Sequence, residues 1–408
     1  MDCILPDYCL TKEKYKELWD NGVFVLDTNV LFNLYRYSPK LREGFINILN
    51  KISNRLWIPH QVALEYYDNK SKVINSEINK YKIISDIILK CPKDIKNEII
   101  KRDLSRKHTA TSEITEELVK KIDESFKIIN KDLNDIIKKY PTRTDFEHID
   151  EIIRKLLMGK VGKPYSVEVL EQICKEGSKR YELKLPPGYE DEKEKEGIKK
   201  YGDLILWFQI IDMANEKKKP IILICEDLKE DWWWASSGMT LGPRPELIKE
   251  FAFKTEMLFY MYSLDQFMNY ANEYINTRIE KEVIEEAKEY RAEEEERKRD
   301  TETLKKISDE IETANIIFGF GPDNVAGAAA GAALELYLRN LCEKNKLPST
   351  KGSIHQLAQV LLKSGIINEN EFKKLIYLGN IRNKCAHSVE VSKDEVESLI
   401  EHVSNLAS

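Results

Sequence analysis

No stretch of this chain approaches the ~20 consecutive apolar residues that a membrane span needs. The amino-terminal Met1-Asp2-Cys3-Ile4-Leu5-Pro6-Asp7 lacks the basic region and long apolar run of a secretory signal. Cysteine is sparse. The seven residues (Cys3, Cys9, Cys91, Cys174, Cys225, Cys342, Cys385) are scattered, odd in number and form no C-x-x-C pair. That pattern offers neither a disulfide framework nor a zinc signature, and it fits a reducing compartment. Positive charge is not in excess either. With a formal net charge of −6, the chain can meet nucleic acid only through local patches or metal ions. No serine–histidine or cysteine–histidine arrangement marks the amino-terminal half, and no internal repeat is visible. The expectation is a soluble, cytoplasmic protein with no membrane partner.

What is present is enough apolar material for a real core. The 408 residues suffice for two or three domains, 42% of them hydrophobic beneath a surface rich in charge. Val23-Phe24-Val25-Leu26 runs straight into Asp27, with Thr28 and Asn29 next. A continuous apolar run of this length predicts a strand buried on both faces of a parallel sheet, and Thr28-Asn29 predicts the turn into a helix. Ile221-Ile222-Leu223-Ile224-Cys225 repeats the pattern nearly 200 residues later and ends in Glu226-Asp227. Leu56-Trp57-Ile58 predicts a short strand stopped by Pro59, with a long helix from His60 that carries Glu65 in its second turn. Tyr201-Gly202-Asp203 opens a further helix. Between about 92 and 190 the chain is rich in Lys, Glu and Ile at helical spacing. This predicts a helical insertion laid over one edge of the sheet.

Asp27, Glu65, Asp203 and Asp227, with Asp231 nearby, are therefore candidates for one cluster. Carboxylates packed together repel, and their pKa values rise unless a divalent cation coordinates them. Hard oxygen ligands favour Mg²⁺ or Mn²⁺, which can activate water and stabilise a departing phosphoester oxygen. Each acid also has an ordinary role open to it. Asp27 can cap the following helix, Glu65 can be a surface residue, Asp203 a first-turn acid, and Asp227 and Asp231 parts of a polar loop. A haloacid-dehalogenase-type chemistry also begins with a strand and Asp, but it wants a second Asp two residues on, where this chain has Asn29.

Leu26-Asp27-Thr28-Asn29, Glu65, Tyr201-Gly202-Asp203-Leu204-Ile205-Leu206-Trp207 and Glu226-Asp227-Leu228-Lys229-Glu230-Asp231-Trp232-Trp233 together resemble a PIN-like domain, of a bacterial branch with a large helical insertion. The resemblance covers about residues 1–272. It implies a metal-dependent nuclease acting on RNA first and single-stranded DNA second. Asp27, Glu65, Asp203 and Asp227 would be its metal ligands and Asp231 an auxiliary acid. Thr28 and Asn29 would steady Asp27 and the attacking water. Cys225-Glu226-Asp227 departs from the pattern, since many relatives have Thr before the acids. It leaves open whether Glu226 or Asp227 faces the metal, with Asp227 favoured. Trp232-Trp233-Trp234 can be packing mass or a base-stacking platform. Lys101, Arg102, Arg106, Lys107 and His108 can be a solvated helix face or a phosphate grip.

Residues 273–312 are dominated by Glu, Lys and Arg and predict a salt-bridged linker helix. From 313 to 408 a helical domain is expected, with the small residues Ala328 to Ala333 permitting close helix approach. Within it, Arg382 and His387 of Asn380-Ile381-Arg382-Asn383-Lys384-Cys385-Ala386-His387 are five steps apart. Five steps rotate by about 500°, so the pair shares no helix face without a break or a dimer-composite site. Arg can hold a phosphate and His can move the proton of a ribose 2′-hydroxyl. This R-x-x-x-x-H in a small helical domain resembles the HEPN superfamily, which implies a dimerising module and, in many members, a metal-independent RNase.

The combined expectation is an α/β, PIN-like parallel sheet flanked by helices, with a large helical insertion, followed by an all-α HEPN-like domain. Its function would be that of a nuclease of toxin or phage-defence type, forming a homo-oligomer through the carboxy-terminal domain. Two alternatives stand beside it. In one the HEPN-like half is the active RNase and the PIN-like half is inert. In the other the protein is a non-enzymatic RNA-binding or oligomerisation scaffold.

Overall fold

The computed structural model describes residues 10–101, 112–137, 143–193, 195–236, 239–348, 352–387 and 389–407. The chain divides into two compact units, Met1–Glu289 and Tyr290–Ser408. The described residues are mostly helical, and the first unit contains a small parallel sheet of four strands.

The centre of that sheet is made by the two apolar runs. Strand β1 (Val23–Leu26) pairs in parallel with β3 (Ile221–Ile224), Phe24 opposite Ile222 and Leu26 opposite Ile224. Strand β2 (Leu56–Trp57) lies outside β1, and β6 (Phe259–Tyr262) outside β3, giving the order β2-β1-β3-β6. Phe24, Val25, Leu26 and all four β3 residues are fully buried, as unbroken apolar runs require when both faces of a sheet are covered. The packing is aromatic. Trp19 of helix α1 (Lys12–Asn21) and Phe267 of α10 (Leu264–Tyr274) lie 5.5 and 5.8 Å from Phe24, ring centre to ring centre. Trp207 of α8 (Gly202–Lys217) lies 5.0 Å from Phe259 and 5.9 Å from Phe251 of α9 (Pro245–Thr255).

Helices α2 (Thr28–Arg36) and α3 (Pro39–Lys51) follow β1, and α4 (His60–Lys101) follows β2. Helix α4 continues through Pro92, so nothing in the backbone separates it from the region read as an insertion. That region holds α5 (Ser112–Ile137), α6 (Arg143–Leu157) and α7 (Val167–Glu182). Among the described residues an isolated parallel bridge, Ile58 with Val161, joins it to the chain just after β2. Arg180 of α7 binds both oxygens of Glu250 of α9, at 2.7 and 2.8 Å, and Trp207 Nε1 donates to the same carboxylate at 2.9 Å. Despite its burial, these three donors and Lys254 hold the Glu250 carboxyl down at about 2. Several elements have no counterpart in the sequence expectation: β6, helices α9 and α10, and the antiparallel hairpin of β4 (Trp233–Ser236) and β5 (Met239–Pro243).

Helix α11 (Lys281–Phe320) contains the point at which the two units divide. In the second unit, α12 (Asp323–Lys344), α13 (Ile354–Lys363), α14 (Glu369–Ala386) and α15 (Lys393–Ala407) enclose a core that includes Leu334, Leu357, Leu378 and Val403. Close approach of α12 and α14 depends on glycine. A Cβ at Gly331 would fall 2.0 Å from Arg382 Cγ.

Candidate active site

The register of β1 and β3 brings the two acidic strand ends side by side. The Asp27 amide donates to Ile224 O at 3.0 Å, continuing the ladder one step past the strand. Beyond these ends opens a cleft of about 1030 Å³, lined by Asp27, Thr28, Asn29, Glu65, Asp203 and Asp227 among others. Open α/β sheets place ligands at this end of the strands.

Asp27 occupies the cap position before α2, but its side chain makes no capping hydrogen bond. Burial, then the charges of Asp227, Asp203 and Glu65, push its carboxyl up to about 8, and the Thr28 amide offsets only part of this. The Cys225 thiol lies 3.9 Å from Asp27 Oδ2, and burial and that carboxylate hold it well above the usual thiol range. Glu65 is fixed from two sides: Thr28 Oγ1 donates to one oxygen at 3.0 Å and Gln61 Nε2 to the other at 2.7 Å. Thr28 thus supports Glu65 directly. Gly202 leaves room for this, because a Cβ there would meet Glu65 Oε1 at 2.8 Å.

Asp203, in the first turn of α8, enters the same cleft. Burial raises it to about 7, Lys229 opposing and Asp227 and Asp191 adding to the rise. Asp227 accepts from the Lys229 amide at 3.0 Å. Its neighbour Glu226 turns elsewhere and accepts from the Leu264 amide at 2.6 Å, at the start of α10. Asp231 is fully buried and is not part of the cleft lining. One of its oxygens accepts from the amides of Gly188 and Glu190, at 2.8 and 3.1 Å. It pins a loop of the inserted region.

Asp191 and Lys229 are charged cleft residues to which the sequence expectation gave no role. Asp191, 1% exposed, comes from that pinned loop. Lys229 Nζ lies 2.7 Å from Asp191, 3.0 Å from Asp227 and 3.2 Å from Asp203. Burial opposes its charge, but the three carboxylates outweigh burial and raise its pKa. Lys229 stood in the quoted motif without a task. Asp191 was one acid in a run of alternating Glu, Asp and Lys, and no local signal distinguishes it. Lys72, Lys195 and Lys199 complete the basic part of the lining.

Trp232 and Trp233 are buried, Trp232 edge-on to Trp207 and Trp233 Nε1 donating to Asp227 O at 2.5 Å. Trp234 is exposed but does not line the cleft. Of the basic cluster only Lys101 is described; Arg102, Arg106, Lys107 and His108 lie outside the described residues. In the second unit, Arg382 pairs with Glu335 at 3.3 Å and lines a cleft of about 210 Å³ with Arg339, His355, Asn380 and Asn383. His387 is the exposed cap residue ending α14 and is not in that lining.

The donor types suit a hard divalent cation: Asp27, Glu65, Asp203 and Asp227 share the cleft with Asp68 and Asp191, and Asp27 and Asp203 are raised by their neighbours' negative charge as well as by burial. Among the described residues no group of three or more His, Cys, Asp or Glu side chains is arranged so that it could hold a metal ion as it stands. Lys229 Nζ holds the ground that Asp203 and Asp227 share.

A parallel sheet that gathers acids from distant parts of the chain at its carboxyl edge defines an acid-site α/β fold. The chain belongs to the PIN-like domain family, whose model matches residues 23–247. PIN-like domains are nucleases in general and typically use divalent metal ions. No curated protein and no solved structure matches the chain. Among the described residues no helix is long and apolar enough to cross a membrane.

Proposed function

We propose that this protein is a metal-dependent nuclease that hydrolyses phosphodiester bonds in RNA first and single-stranded DNA second. The observation that carries this reading is the convergence of Asp27, Glu65, Asp203 and Asp227 on one cleft, with Asp27 and Asp203 raised toward neutrality by burial and mutual repulsion. These four would hold Mg²⁺ or Mn²⁺. When bound, such an ion would supply charge neutralisation and lower the pKa of a water, so that a hydroxide nucleophile is available near neutral pH. The chain's own residues prepare the rest. Thr28 and Gln61 orient Glu65. Asn29 lines the cleft beside Asp27, and Lys72 and Lys199 offer positive charge to the backbone of a nucleic acid strand. Water adds to phosphorus as one ester bond breaks, so one new end keeps the phosphate and the other a hydroxyl. Asp231 serves by holding the loop that carries Asp191.

The carboxy-terminal unit is proposed as a HEPN-like dimerising domain. A cytoplasmic toxin or phage-defence effector is the role that this pairing fits, by analogy with similar fusions. The polar cleft around Arg382 keeps a second reading in view, in which this unit cuts RNA without metal. Total RNA incubated with and without Mn²⁺, using the wild type, Asp203→Asn and His387→Ala, separates the two. The proposed function expects Mn²⁺-dependent cutting that Asp203→Asn abolishes and His387→Ala spares. Metal-free cutting that leaves 2′,3′-cyclic phosphate and is lost in His387→Ala would overturn it.

A further inference from the structure

The geometry points to Lys229 as a tethered cation that competes with the divalent ion for Asp203 and Asp227, with Asp191 as the residue that receives its ammonium. This deepens the proposed function and rests on its metal-binding reading. Three pieces of chain build the device. The first is Lys229 itself, its side chain 19% exposed, with one ammonium shared among three carboxylates at 2.7–3.2 Å. The second is Asp191, which is 1% exposed. One of its oxygens meets Lys229 and the other accepts from Lys195 Nζ at 2.5 Å. The third is the Asp231 carboxylate, which anchors the loop through the amides of Gly188 and Glu190. The loop comes close enough that a Cβ at Gly188, where φ is +95°, would lie 2.4 Å from Tyr181 Oη and 3.1 Å from Asp203 Cβ.

The electrostatics explain why such a device belongs here. Asp27, Glu65, Asp191, Asp203 and Asp227 bring five carboxyl groups to the cleft, and Lys229 and Lys195 bring two ammonium groups. Without a counter-charge at its centre, the ion-free protein would hold buried like charges that destabilise it. A lysine suits the task because its compact charge sits on a flexible stem, so it can leave Asp203 and Asp227 while Asp191 keeps it. The consequence is a trade: Lys229 stabilises the ion-free state and, by the same interaction, weakens ion binding.

The test uses full-length protein stripped with EDTA, titrated calorimetrically with Mn²⁺ alone and melted with and without it. Lys229→Met should bind Mn²⁺ at least about tenfold more tightly than wild type, since a like charge beside the ion is removed. It should also melt lower than wild type in EDTA, and saturating Mn²⁺ should close that gap. Lys229→Arg, which keeps the charge and guards against a folding failure, should bind Mn²⁺ close to wild type. Equal or weaker binding by Lys229→Met beside normal wild-type binding overturns the inference and leaves the nuclease reading standing. Absence of Mn²⁺ binding by the wild type overturns both.

Discussion

The two units treat their charged residues in opposite ways. In the first, Asp27, Glu65, Asp203 and Asp227 come from distant parts of the chain to one cleft, where burial and the neighbouring carboxylates raise Asp27 and Asp203. In the second, Arg382 is answered by Glu335, and His387 ends its helix outside the Arg382 cleft. Like charge that one lysine offsets only in part is costly to assemble and favours a ligand of opposite sign, whereas a paired arginine does not. The comparison therefore supports the first unit as the seat of the proposed metal-dependent chemistry, and several perturbations can break or sharpen it.

The largest expected effect is on activity. Asp27→Asn or Asp203→Asn should lower Mn²⁺-dependent RNA cleavage by at least about a hundredfold, since the loss of one charged ligand weakens both ion and transition state. His387→Ala should leave that rate unchanged. Cleavage of end-labelled RNA checks both. Next comes stability in the first unit. Arg180→Met leaves Glu250 buried without its bidentate partner and should cost about 3–5 kcal/mol in chemical denaturation. Because Glu250 is depressed to about 2, the stability this pair supplies is present above the ordinary carboxylate pKa and is lost as pH falls through about 2.

The acids in the cleft work in the other direction. Asp27 is raised from 3.8 to about 8 and Asp203 to about 7, so the ion-free folded protein holds protons that the unfolded chain releases. Their contribution to stability should fall as pH rises from about 4 to about 8. Mn²⁺ should flatten that slope, which thermal melts across pH will show. The smallest effect belongs to the second unit. Gly331→Ala, which puts a Cβ against Arg382, should cost about 1–3 kcal/mol and leave cleavage by the first unit intact.

Much of the sheet was legible because β1 and β3 are unbroken apolar runs that end in acids. β6 escaped because Phe259-Tyr260-Met261-Tyr262 is short and aromatic, with no acid or turn signal to set it apart. The β4–β5 hairpin was hidden within the tryptophan run. The four acids could be named because each stands at the end of a strand or on a helix that the sequence already marks. Asp191 could not, since its place depends on a loop held by Asp231 from 40 residues away rather than on any local pattern. Lys229 is the middle case: the motif contains it, but only the geometry shows three carboxylates around its ammonium.

The most direct test is calorimetric titration of Mn²⁺ into ion-free wild type and Asp27→Asn, in two buffers of different ionisation enthalpy near about pH 7. The account predicts binding by the wild type with release of protons from the crowded carboxyls, and loss of both binding and release in Asp27→Asn. Binding that is unchanged by the substitution, or that releases no proton, would contradict it.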